Sequence, residues 1–413
     1  MPLGLKYRRL SLVFALLLSA VAALPAWRMG LLRDDWLLLW HAVDPAAAPD
    51  AAGVFSRPLA MLLWRGIGAV SALPILELHV VQMLLGLSLF AGLWRLPLPV
   101  DRPAARPIFV LIIMLHVSLL ELRVWGAASN GLLALSLGVW AVSMAARSRP
   151  LSAILFCAAA LARVDALLLL LWLPALSKPE RSSGRLLWLL ALPALALIWT
   201  VLEAGMTPSF ELADAGRSLR LIVLPWGVPL SRGIAALVGA LGCSFLGVML
   251  WRHREKGWVP WASILAVVVA NAVLPWAAAG RYSSVAVVGV AAIIAARVDS
   301  APLGLRGILL LWLGFHLWSD VGGNTVRDLK QRSLAETELY RALQDTGLTG
   351  QAPGPICLQD PPPMGWTNSQ ADAENVASYA LRRATSVRFL AFEAECQIGL
   401  RYDVVTQQWT VSP

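Results

Sequence analysis

Apolar runs of membrane-crossing length recur along this chain, and no other feature limits its possible folds so strongly. A run of about 20 apolar residues spans the hydrocarbon core of a bilayer. The runs predict eleven spans, at 10–27, 73–95, 107–122, 125–146, 151–162, 165–177, 185–203, 232–251, 258–278, 281–297 and 303–319. Charged residues make up only 14% of the 413, against roughly 25% in a soluble globular protein. Two runs, 151–162 and 165–177, are too short to cross straight through. They read as a broken pair meeting at Arg163-Val164-Asp165. Irregular backbone at that depth survives only inside protein or beside a wet cavity.

The bases orient the spans. Lys6, Arg8 and Arg9 precede the first run, and no small-residue cleavage site stands before Arg28. This predicts a retained span with a cytoplasmic N-terminus. The clusters Arg147/Arg149, Lys178/Arg181/Arg185 and Arg252/Arg254/Lys256 then all fall on the cytoplasmic side, as the positive-inside rule requires. An odd span count puts the C-terminus outside. The net charge of +9 sits in these short loops, with no basic stripe carrying interleaved aromatics, so nucleic acid is not an expected partner.

Residues 320–413 are polar. Asn324–Leu343 reads as an amphipathic helix, Pro353–Pro363 as a turn region, Ala371–Arg383 as a helix and 386–410 as short alternating strands. The expected fold is therefore an all-α polytopic membrane domain over 1–320, with a first outer loop at 28–72. A small α+β domain over 321–413 follows on the outer face. Cys357 and Cys396 in that domain are a disulfide pair or two buried thiols. Cys157 and Cys243 lie in spans as small packing residues.

Several polar residues need an explanation. Asp34 and Asp35 open the first outer loop. Adjacent acids near a membrane are either wet loop residues or functional carboxylates, as a general base or as ligands of a hard divalent cation. Adjacent positions on a helix point about 100° apart, so the two would take different tasks, one facing a cavity and the other orienting it or binding metal. Arg57 precedes Pro58, which can open a helix. Glu121 and Arg123 end the third span as an interfacial ion pair or as site residues. Arg163 and Asp165 form a buried pair at the helix break or part of a site. Arg281 and Tyr282 open the tenth span, where Arg281 either snorkels or binds phosphate. His41, His79, His253 and His316 show no metal-ligand spacing, and no motif for zinc, nucleotide or serine hydrolysis is present.

The order of these features resembles the GT-C superfamily of membrane glycosyltransferases, which includes protein O-mannosyltransferases and aminoarabinose transferases. The residues that carry the resemblance are Asp34-Asp35-Trp36, Arg57-Pro58-Leu59, His116 to Glu121 with Trp125, Leu161 to Leu167 around Arg163, and Gly280-Arg281-Tyr282. They lie within residues 1–320. The resemblance implies a sugar donor on a polyprenyl phosphate or pyrophosphate, and transfer at the outer face of a bacterial inner membrane. The acceptor would be a lipid, a glycan or a protein. Asp34 or Asp35 would be the base, with Asp35 preferred. Glu121 would be the second acid, supported by Arg123 and Asp165. Arg163, Arg281 and Tyr282, with Arg57, would bind the donor phosphate. Some members use a divalent cation such as Mg or Mn, for which Asp34, Asp35 and Glu121 would be ligands. This chain is shorter than the best-known members and its outer domain is smaller, which leaves the acceptor open. A transporter or flippase of a lipid-linked or anionic substrate, using Arg163, Asp165 and Arg281 as its path, is the alternative. A non-catalytic membrane scaffold is a third.

Overall fold

The computed structural model describes residues 3–163 apart from 33, 44–56, 72, 97, 99–103 and 117. It also describes residues 284–347 apart from 297 and 299–301, and the segments 356–359, 370–381, 387–389, 398–403 and 408–412, with the single residues 166, 169 and 406. The spans expected at 165–177, 185–203, 232–251 and 258–278 lie outside the described residues.

The described chain is mostly helical, with one small sheet. Helices α1 (Leu3–Ala23), α2 (Asp34–Val43), α3 (Pro58–Gly68), α4 (Ile75–Arg95), α5 (Ala105–Leu115) and α6 (Ser118–Val124) come first. They are followed by α7 (Ser129–Met144), α8 (Arg149–Ala162), α9 (Ser284–Ala295), α10 (Leu303–Gly322) and α11 (Asn324–Asp345). Then come β1 (Ile356–Gln359), α12 (Gln370–Leu381), β2 (Val387–Phe389), β3 (Ile398–Asp403) and β4 (Gln408–Ser412). Pro58 and Pro150 stand in the first turns of α3 and α8, where a missing N–H costs no helical bond.

The chain divides into two compact units. The first comprises residues 1–25, 82–124 and 128–324. In it, α4 and α7 pack through small and hydroxyl side chains. Ser136 Oγ donates to Ser88 Oγ at 2.9 Å, Trp140 Nε1 to the Ser88 carbonyl at 3.0 Å, and Ser143 Oγ to the Gly92 carbonyl at 3.2 Å. A Cβ on Gly92 would stand 3.0 Å from Val139, so glycine sets how closely these helices approach. Small residues and interhelical hydroxyls are the usual adhesive where apolar burial gives no preference between neighbours.

The span expected at 107–122 is not continuous. It breaks after Leu115, and His116 is extended at φ −72°, ψ 136°. Arg123 compensates the break. Its Nη1 donates to the Met114 carbonyl at 2.8 Å and its Nε to the Leu119 carbonyl at 3.2 Å. Carbonyls left without helical partners are thereby satisfied.

Among the described residues two helices are long and apolar enough to cross a membrane, Arg9–Arg28 and Ile75–Arg95, the first completed by a 3-10 turn over Leu24–Arg28. Their large side chains are exposed along one helical face. Leu10, Phe14 and Leu17 on α1, and Leu76, Val80, Leu84 and Leu87 on α4, follow one another at steps of three or four residues. On α10 the exposed stripe is Ile308, Leu311 and Phe315, with the same spacing. Contiguous apolar faces of this kind are rare on water-facing surfaces.

The second unit comprises residues 26–81, 125–127 and 325–413. The loop expected at 28–72 and the domain expected at 321–413 therefore belong to one body. Its core holds Trp36, Trp40, Trp64, Leu339, Tyr379 and Leu400, among others, so α2, α3, α11, α12 and the sheet bury one another. The sheet order is β2-β1-β3-β4. β1 pairs in parallel with β2 and β3, and β3 pairs antiparallel with β4. The region read as turn at 353–363 contains β1. Its Ile-Cys-Leu core lies at the sheet centre and is buried on both faces, a pattern that continuous apolar residues produce but that flanking prolines obscure.

Cys157 carries a free thiol, whereas Cys357 is disulfide-bonded. Cys243 and Cys396 lie outside the described residues. Cys396 is two residues before Ile398, whose Cα pairs with that of Ile356. Peptide mapping without reductant is expected to recover Cys357 joined to Cys396. A Cys357–Cys243 peptide would refute the pairing.

Candidate functional site

The sequence-predicted site residues divide between the two units. Asp34, Asp35 and Arg57 lie in the second unit. Arg123, Arg163 and the backbone of Glu121 lie in the first. Asp165, Arg281 and Tyr282 are outside the described residues.

The first turn of α2 separates its two acids. Asp34 is exposed and Asp35 is fully buried. Asp35 Oδ2 accepts from the Leu32 N–H at 2.9 Å, and its Oδ1 accepts from the Ala127 N–H. One carboxylate thus ties the entry to α2 to the turn Trp125–Ala127. The same turn is held by Trp125 Nε1, which donates to the Leu32 carbonyl at 3.0 Å. Gly126 is required there, because a Cβ would stand 2.8 Å from Asp35 Oδ2 and 2.6 Å from Leu78. Burial pushes the Asp35 carboxyl well above its ordinary range. The two N–H donors pull it back, and the charges of Asp34 and Glu336 raise it further.

The next residue continues the polar chain. Trp36 Nε1 donates to Glu336 Oε2 at 3.0 Å, and Arg332 Nε meets Glu336 Oε1 at 3.0 Å. Arg332 and Glu336 are both buried. Trp36 also stacks on Tyr340, with ring centroids 5.3 Å apart. Sequence reasoning missed Arg332 and Glu336. Their signal was an i,i+4 charge pair on an otherwise solvated-looking amphipathic helix, which burial converts into a structural pair. Gly30 completes the contact with α11. Its N–H donates to Ser333 Oγ at 3.1 Å, and a Cβ there would stand 3.0 Å from the Ser333 carbonyl. Arg57 is half-buried and immediately precedes α3, its carbonyl accepting from the Met61 N–H at 3.0 Å.

In the first unit, Arg163 follows α8 in extended conformation (φ −169°, ψ 126°) and is buried. Its guanidinium lies over the backbone of Gly131 at the start of α7. His116 stacks on His316 with centroids 4.5 Å apart, and Trp312 meets His316 edge-on at 4.5 Å. His316 carried no recognisable spacing in the sequence, because two hundred residues separate it from His116.

Of the residues expected to hold a divalent cation, Asp34 and Asp35 are described with their side chains. Both Asp35 oxygens already accept backbone N–H groups, and Asp34 is exposed where Asp35 is buried. Among the described residues no group of three or more His, Cys, Asp or Glu is arranged to hold a metal.

Asp35 makes a pH signature. Its folded-state pKa is raised above the ordinary carboxylate value. Its contribution to stability is therefore fully present below the unfolded pKa and is lost as pH rises through the folded one. Thermal unfolding of the second unit is expected to move to lower temperature as pH rises through that window, and the dependence should flatten in Asp35→Asn. Asp35→Ala leaves the buried Leu32 N–H and the half-buried Ala127 N–H without their acceptor and should destabilise by roughly 1–3 kcal/mol. A pH-independent melting curve for the native chain would contradict this account.

No protein-family model matches the chain, and no curated protein matches it significantly.

Proposed function

We propose that this chain is a multi-pass membrane protein of about eleven spans that transfers a sugar from a polyprenyl phosphate or pyrophosphate to an acceptor on the outer face of the membrane. The observation that carries the reading is the division of labour between the two acids opening α2. One is exposed, and its neighbour is buried with its pKa driven upward. Paired titratable groups in opposed environments are a recurring mark of acid–base sites.

In this reading Asp34 is the base. It removes the proton from the acceptor hydroxyl as that oxygen attacks the anomeric carbon. The bond from the anomeric carbon to the phosphate oxygen breaks, and the phosphate departs with the electron pair. Asp35 is a positioning residue, since its bonds to Leu32 and Ala127 hold the turn on which Asp34 sits. Arg57, which lies in the same unit as Asp34, supplies positive charge for the departing phosphate. Membrane insertion draws support from the apolar stripes of α1, α4 and α10. Placement of the second unit outside the cytoplasm draws support from the bonded state of Cys357, because disulfides persist in oxidising compartments.

The test uses the full chain in proteoliposomes loaded with a radiolabelled polyprenyl-phosphate sugar and an envelope extract as acceptor. Asp34→Asn is expected to lower transfer by roughly 100-fold or more without shifting the unfolding temperature. Full activity in that variant would sink the assignment of Asp34. Movement of the donor across the bilayer with the sugar still attached would favour a transporter instead.

A further inference from the structure

The first turn of α7 holds buried polar atoms that find no hydrogen-bond partner among the described residues. Ser129 and Asn130 occupy its first two positions, with exposures of 0% and 2%. Ser129 Oγ and Asn130 Oδ1 have no hydrogen-bond partner among the described residues. Ala128 before them is helical in conformation and supplies no side-chain cap. Buried polar atoms are nearly always satisfied, and a buried helix start without a cap is unusual. Helical side chains lean toward the N-terminus of their own helix. Ser129 Oγ and Asn130 Oδ1 therefore lean toward the end of α7 where its helix dipole is positive, on directions about 100° apart around the axis.

Arg163 borders the same place. A Cβ at position 131 would run into Arg163 Nη1 and would stand 2.7 Å from Leu122 Cδ2. Only glycine lets the guanidinium lie against the helix start. Four features thus lie at or beside the start of α7: a helix N-terminus, a hydroxyl, an amide oxygen and a buried arginine. The first, second and fourth suit a phosphate. The amide oxygen accepts and does not donate, so it suits a hydroxyl close to that phosphate.

We infer that Ser129, Asn130, Gly131 and Arg163 form a binding site for a glycosyl phosphate. The Ser129 hydroxyl and the N–H groups of Ser129 and Asn130 donate to phosphate oxygens, the Gly131 N–H being taken by the Ala128 carbonyl at 2.8 Å. Arg163 balances their charge, and Asn130 Oδ1 accepts from a sugar hydroxyl. The identity of the ligand rests on the transferase reading above, whereas the anion site does not. Gly131 is a positioning residue, acting through Arg163.

The probes are farnesyl phosphate, farnesyl phosphoglucose and inorganic phosphate, titrated into the full chain in amine-oxide micelles that contain neither phosphate nor sugar. Binding is read by tryptophan fluorescence. Ser129→Ala is expected to weaken farnesyl phosphate binding at least tenfold, as is Gly131→Ala. Asn130→Ala should weaken farnesyl phosphoglucose selectively, leaving farnesyl phosphate within about twofold of the native value. If Gly131→Ala does not fold, Ser129→Ala decides. Native affinity for farnesyl phosphate in folded Ser129→Ala would overturn the site. Inorganic phosphate binding as tightly as farnesyl phosphate, and lost in Ser129→Ala, would uphold the anion site with free phosphate as its source. That result would count against the transferase reading alone.

Discussion

A buried carboxylate holds together the beginning of the second unit. Asp35 gathers the N–H groups of Leu32 and Ala127, more than ninety residues apart in sequence, onto its two oxygens. Leu32 is buried and Ala127 half-buried, and the carboxylate is the acceptor for both N–H groups. Ionising it there is costly, and burial raises its pKa as a result. The adjacent Trp36 extends the connection to Glu336 and Arg332 on α11. A segment read as a loop is thereby built into the core of an α/β body. Trp409 closes the far end of that core, its Nε1 donating to the Ala335 carbonyl at 3.0 Å.

The first unit follows a different logic. Its helices meet through Ser88, Gly92, Ser136 and Ser143, while large apolar side chains on α1, α4 and α10 face outward. Small and hydroxyl residues line the contact of α4 with α7, and large apolar side chains lie both inside the unit and on its outward faces. Where the helix breaks after Leu115, a buried arginine takes up the carbonyls. Arg163 occupies a comparable position at the end of α8, but it lies against a helix start whose hydroxyl and amide are unmet. Similar buried arginines therefore have different uses. Arg123 completes the backbone, and Arg163 packs on Gly131 at the start of α7.

Local patterning was legible where the period of apolar residues is set by one helix or one strand. The starts of α3 and α8 are marked by Pro58 and Pro150, and α11, α12 and the late strands by their alternation. The break at His116 was not legible, because its apolar flanks run on without a proline or glycine and the compensating Arg123 acts from further along the chain. β1 was hidden by its prolines. Asp34 and Asp35 were legible as a pair worth explaining, but not which of them would be buried, since both are compatible with the first turn of a helix.

The sequence by itself determined the helical character, the polar C-terminal region and the candidate acids and arginines, because each depends on composition and short-range period. Tertiary structure alone decided that residues 26–81 share a core with residues 325–413. It alone took Asp35 out of solvent, made Arg332 and Glu336 a buried pair, and set Arg163 over Gly131. Each of these depends on contacts between residues far apart in the chain, whose burial and hydrogen-bond partners have no local signature.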